Sequence, residues 1–281
     1  MDRKRIIFGA VALLIMGGTL VQCALMPGPT MELNPERFAA VRMAFSGLIS
    51  GQDDVPPDGF ALRPIDYPFN GVSVAEYDGP CRGGGEYLLR GVGPGTRPLL
   101  ISAPHRGADR FTGPLALQTF VEAEAAAAAW NTVPRTGSDC DAPNSDLARL
   151  ARHPFTAFAV AFATTYPLGR VVQLHGFHPA RRVTAAGRAA TVILSNGSDE
   201  VTPAVRALGR CLTRAFPDDQ IAIYPTDVSE LGARSNVQGQ QLRATGFAGF
   251  VHVELSLEFR KRLNASDAMR RAFARCMAVG L

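Results

Sequence analysis

Apolar and polar positions along the chain follow two periods in turn. In PERFAAVRMAFSGLIS (35–50) apolar residues recur at helical spacing, and QDDVPPDG then breaks the pattern. Between 60 and 95 short extended pieces such as GEYLLRG lie among Gly and Pro clusters. RPLLISAPH (97–105) is a continuous apolar run closing in a polar turn, the pattern of a strand buried on both faces. GPLALQTFVEAEAAAAAWN (113–131) predicts one long helix, because Gly-Pro opens it and Ala fills its interior. A second helical region, NSDLARLARHPFTAFAVAFATTYP, is interrupted near Pro154 and stops before Pro167. RVVQLHGF, AATVILSNG, QIAIYPTDV and GFVHVELS read as strands. SDEVTPAVRALGRCLTRAFP and SDAMRRAFARCMAVG read as helices, the latter with Ser266 as N-cap, and SELGARSNVQGQQLRATG reads as a polar connection. Strands alternating with helices predict an α/β fold with a mixed, mostly parallel central sheet flanked by helices.

The N-terminus stands apart. Arg3, Lys4 and Arg5 precede an apolar run over residues 6–21, followed by Gln22, Cys23 and MPGPT. Three outcomes fit: lipidation at Cys23 after cleavage, an uncleaved membrane anchor, or simple secretion. Each predicts export, to the periplasmic side of the cell envelope or beyond, with the membrane contacted through this segment in the first two. The expected organisation is a signal peptide or anchor over 1–26, a linker and N-terminal helix over 27–59, and one α/β domain over 60–281.

Composition narrows the function. Of 281 residues, 47% are hydrophobic and 19% charged, which describes a folded domain. The formal charge of +4 lies partly in the leader, so the remainder is nearly neutral and nothing suggests a nucleic-acid partner. If Cys23 belongs to the leader, Cys81, Cys140, Cys211 and Cys276 remain, without a C-x-x-C pair that would suggest a cysteine zinc site. Cys211 and Cys276 fall on the apolar faces of their helices and are expected to pair, leaving Cys81 with Cys140; buried free thiols are the alternative.

The chemistry-bearing residues collect at strand ends. His105 closes one strand, His175 and Asp227 follow others, and Glu254 lies near the end of a fourth, where α/β sheets bind ligands. His105, Asp109 and His175 can supply the three ligands of a hydrolytic zinc site, with Glu254 as base for water. His178 is a substitute ligand for His175, His252 shares a strand face with Glu254, and His153, before a Pro, reads as structural. A salt bridge from Glu254 to Arg260 or Arg262 is the alternative role for that carboxylate. Arg106, Arg110, Arg135, Arg234 and Arg260 lie near these motifs, where a guanidinium can clamp a carboxylate. No G-x-S-x-G elbow supports a serine hydrolase.

APHRGAD (103–109), WNTVPR (130–135), QLHGFH (173–178) and SNVQG…GFVHVELSLEFR (235–260) together resemble the zinc carboxypeptidase clan, and within it the N-formylglutamate amidohydrolases and phage-type poly-γ-glutamate hydrolases. The resemblance implies Zn2+ on His105, Asp109 and His175, with Glu254 as general base. It also implies substrate contacts from Arg135, Arg234, Asn236 and Asn131. The clan's peptidases carry Glu three residues after the first His, whereas this chain has Asp four after it; Asp146 is the alternative third ligand. The implied activity is hydrolysis of an amide bond in a peptide, γ-glutamyl or N-acyl amino acid. The competing expectation is an envelope protein that keeps the fold and binds peptide or cell-wall fragments without catalysis.

Overall fold

The computed structural model describes residues 32–77, 83–133, 135 and 146–281. The leader with Cys23, and Cys81 and Cys140, lie outside the described residues. Among the described residues no helix is long and apolar enough to cross a membrane.

Helix α1 (Pro35–Ser50) begins where Asn34 accepts a hydrogen bond from the Arg37 amide and Pro35 takes the first turn; Gly51 ends it in the left-handed region. Its Phe45 packs on the rings of Phe60, Tyr87 and Phe158, which ties the helix to the body of the protein. Three strands follow as an antiparallel meander: β1 (Phe60–Ile65), β2 (Gly71–Glu76) and β3 (Glu86–Arg90). After β4 (Arg97–Ala103) and α2 (Thr112–Glu122) comes the clearest departure from expectation. The Ala run is not the second half of a long helix but β5 (Ala125–Trp130), buried throughout. The helix stops at Ala123 and Glu124 turns the chain with φ of 54°, which a continuing helix does not allow. Between β3 and β4, small side chains let helices close over both faces of the sheet, so packing overrides the helix preference of Ala.

The remaining elements are α3 (Pro154–Thr165), β6 (Arg170–Phe177), α4 (Ala185–Ala189), β7 (Val192–Ser195), α5 (Pro203–Ala215) and β8 (Ile221–Ile223). After them come α6 (Val237–Ala244), β9 (Phe250–Ser256), α7 (Leu257–Ala265) and α8 (Asp267–Met277), with Ser266 capping α8 as expected. Helix α6 lies inside the expected polar connection, capped by Asn236. All nine strands form one sheet in the order β1-β2-β3-β5-β4-β6-β9-β7-β8. Parallel pairing joins β5, β4, β6 and β9, and separately β7 with β8; the other pairs are antiparallel. The sheet is therefore mixed, with its parallel part central and not extending to the meander.

Helices cover both faces. Leu115, Phe120, Leu208, Phe259 and Phe273 fill one side with Leu174 and Val253; Phe45, Phe158, Phe162 and Leu242 fill the other with Val171 and Phe250. On the first side Cys211 of α5 is bonded to Cys276 of α8, with Cα atoms 5.4 Å apart.

Candidate metal centre and active site

Strand alternation places the site. In β6 and β9 the residues Gln173, His175, His252 and Glu254 all leave the sheet on the face of α3 and α6, and His175 lies directly beside Glu254 in register. His105 follows the end of β4, where the turn brings Asp109 back under it, with the Asp109 amide donating to the His105 carbonyl. Asp227 does not join them. β7 and β8 run against β9, so the chain leaves β8 in the opposite sense, and the Asp227 carboxylate closes its own turn by accepting from the Ile223 amide at 2.8 Å.

Asp109 Oδ2 lies 3.5 Å from His105 Nδ1 and 3.6 Å from His175 Nδ1, and accepts from the Gly176 amide at 3.0 Å. Two zinc bonds of about 2.0–2.1 Å at a tetrahedral angle put their donor atoms roughly 3.3–3.5 Å apart. Both distances from Asp109 Oδ2 come close to that spacing, the three donor atoms lie within 4.8 Å of one another, and His105 Nδ1 is buried with no hydrogen-bond partner. The opposite nitrogens are each held by an acceptor: His105 Nε2 faces Asp146 Oδ1 at 2.7 Å, and His175 Nε2 faces Gln173 Oε1 at 2.9 Å. Each ring therefore donates from Nε2 and keeps a lone pair on Nδ1, as metal-binding histidines do. Two neutral imidazoles and one carboxylate suit zinc, so the residues fit the ion that the motifs imply. Asp146 sits behind His105 and also pairs with Arg135 at 2.8 Å.

Electrostatics agree with a cation-binding centre. Burial would raise the Asp109 carboxyl, but the adjacent His105 and His175 imidazoles outweigh this and hold it below the usual carboxylate range. Asp146 is lowered to about 2: burial opposes the shift, and the His105 bond and Arg135 overcome it. Burial lowers His175 and puts His252 well below its ordinary value. Glu254 is pushed up to about 8 by burial and then by the Asp109 charge. Its Oε2 is buried without a hydrogen-bond partner, and Oε1 lies 3.8 Å from His252 Nε2. The salt bridge to Arg260 or Arg262 does not form. Arg260 donates to the carbonyls of Leu255, Arg110 and Phe177, and Arg262 pairs with Asp219. Gly176 permits that position of Arg260, since any Cβ there would overlap the guanidinium.

The cluster opens into a cavity of 790 Å³ whose wall includes His105, Asp109, His175, His178, His252 and Glu254. Arg135 and Arg234 also line it, each ion-paired, to Asp146 and to Asp199. Arg110, Arg149 and Arg181 line it with no ion pair among the described residues. Asn236 reaches the wall, but its side chain caps α6 and donates to Gln173. Asn131 is buried away from the wall, where its Oδ1 accepts from the Val133 amide. His153 caps α3 and, at about 4 because of burial, is a neutral structural ring. Motif and spacing alone do not single out Gln173 or Gln238. A signal for Gln173 is nonetheless present: an amide inside an apolar strand, two residues before His175 and so on its face.

No family model matches the chain, and no curated protein matches it. Among solved structures it is similar to a metallo-carboxypeptidase from Burkholderia cenocepacia, at 13% identity over 88% of this chain and 68% of that one, with a TM-score of 0.40. It is similar to an N-formylglutamate amidohydrolase from Ralstonia eutropha JMP134, at 13% identity over 68% of this chain and 95% of that one, TM-score 0.41. A third is a succinylglutamate desuccinalase from Vibrio parahaemolyticus, at 15% identity over 78% of this chain and 77% of that one, TM-score 0.45.

Proposed function

We propose that the chain is a zinc-dependent amide hydrolase acting on a peptide, γ-glutamyl or N-acyl amino acid that carries a free carboxylate. The observation that carries this reading is the convergence of His105 Nδ1, His175 Nδ1 and Asp109 Oδ2 beside the buried Glu254, whose Oε2 lacks a hydrogen-bond partner, at the floor of one cavity. His105, His175 and Asp109 would hold the ion, which when bound supplies Lewis acidity toward an amide carbonyl and acidifies water. Glu254 would accept the proton of the attacking water and return it to the leaving nitrogen. Asp146 and Gln173 fix the two imidazoles, and Arg110, Arg149 and Arg181 on the wall, without ion pairs among the described residues, offer sites for a substrate carboxylate. An exported location is part of the same proposal, supported by the basic and apolar N-terminus and by the Cys211–Cys276 bond, which suits an oxidising compartment.

Hydrolysis should vanish on dialysis against a chelator and return with zinc. It should also be much faster on N-acyl amino acids as free acids than on their amides. Full activity in the metal-free protein contradicts the zinc assignment, and equal rates on acid and amide contradict the carboxylate.

A further inference from the structure

The two histidines at the centre are held differently. His105 is backed by a carboxylate, which accepts whichever way it turns. His175 is backed by an amide, and an amide accepts from one end only. Its orientation must be set elsewhere, and the surrounding bonds show where. Gln238, the second residue of α6 and fully buried, sends Nε2 to the Leu147 carbonyl at 2.7 Å and to Thr156 Oγ1 at 2.7 Å. The carbonyl can only accept, and Thr156 spends its own proton on the Leu150 carbonyl at 2.8 Å. Gln238 Nε2 is therefore the donor there, and its Oε1 is left to face Gln173, whose Nε2 donates to it at 3.2 Å. That bond turns Gln173 Oε1 toward His175 Nε2, 2.9 Å away. A second line agrees: Asn236 Oδ1 accepts from the Gly239 amide as the cap of α6, so its Nδ2 is the end that meets Gln173 Oε1. With Oε1 a pure acceptor, His175 must carry its proton on Nε2.

We propose that Gln238, acting through Gln173, is a positioning residue that locks His175 in the Nε2–H tautomer and so presents the Nδ1 lone pair to the metal. The inference rests on the metal-centre reading but not on catalysis. Gln238 touches neither His175 nor the cavity, and it links α6 to α3 and to the turn at Leu147–Arg149, so the packing of these elements on one face of the sheet reaches the centre through one row of amides. If the Gln238 acceptor is lost, Asn236 alone holds the Gln173 amide, and each flip that presents Nε2 would favour the Nδ1–H tautomer and remove the lone pair a metal needs.

The test is a two-bond 1H–15N spectrum of the metal-free protein at pH 8, together with zinc affinity, for wild type, Gln238→Leu and the double variant Gln238→Leu/Gln173→Glu. The wild type should show His175 protonated at Nε2. Gln238→Leu should show mixed tautomers and bind zinc roughly tenfold more weakly, the lower end of what outer partners of metal histidines contribute. The double variant should regain wild-type affinity, because a carboxylate at 173 accepts in either orientation; a residue that merely supports packing would give no such rescue. The proposal is overturned if wild-type His175 is protonated at Nδ1, or if folded Gln238→Leu keeps both tautomer and affinity. Should Gln238→Leu not fold, the wild-type spectrum still decides against the proposal or for it. A wild type with the Nε2–H tautomer that binds no zinc supports the amide relay and sinks the metal reading, so the two failures are distinct.

Discussion

Glu254 is a buried carboxyl whose Oε2 has no hydrogen-bond partner, and that has a thermodynamic consequence. Folded, its carboxyl titrates at about 8, against an ordinary value of 4.5. The folded state thus binds the proton more tightly than the unfolded one, so the metal-free protein should lose stability as pH rises through this window, with the full benefit present below it. Glu254→Gln should abolish that slope and, at pH 8 with a chelator present, stabilise the protein by about 2–5 kcal/mol. Urea unfolding of both proteins between pH 5 and 9 measures this, and parallel curves would show that the carboxyl is ionised and satisfied in the folded state. At this scale much of the centre was legible. His105, His175 and Glu254 are polar residues at the ends of apolar runs, where burial of a titratable group needs a reason. The roles of Asp109 and Asp146 were not separable by spacing, because a turn decides which carboxylate meets Nδ1 of His105 and which meets Nε2. Gln173 gave a weaker signal than the titratable residues, because a neutral amide in an apolar strand needs a partner but carries no charge to account for.

Among the elements, the alanine strand shows what local pattern does not determine. AAAAAW is helical by propensity, yet it pairs between β3 and β4, where no larger side chain is needed to fill the layers. Ala128 is fully buried, lies beside Leu88 of β3 and Ile101 of β4 in register, and shares their core with Phe69. Ala128→Leu should therefore cost about 1–3 kcal/mol by overpacking, read as a lowered urea midpoint with unchanged slope. An unchanged midpoint would mean that β5 has spare room. The same limit explains Asp227: the end of a strand was legible, but its direction depends on a connection across the sheet, and β8 runs against the central strands.

At the scale of the whole molecule, two helical layers clamp one sheet and leave the carboxyl ends of β4, β6 and β9 open to the cavity. The α/β class and most helices could be read from periodicity, whereas the antiparallel meander and the closing of the cavity by residues from distant segments, Arg149, Arg181 and Arg234 among them, depend on tertiary packing. The central claim is a division of labour: histidines hold the metal, and Glu254 moves the proton. The measurement that tests it most directly is zinc content, melting temperature and hydrolysis rate for His105→Ala, His175→Ala and Glu254→Gln side by side. The account predicts that both histidine variants lose zinc and activity together. It predicts that Glu254→Gln stays folded, keeps its zinc and falls in rate by about 10²–10⁴-fold, the range for losing a positioned general base. A folded, zinc-loaded Glu254→Gln that hydrolyses at the wild-type rate would contradict it.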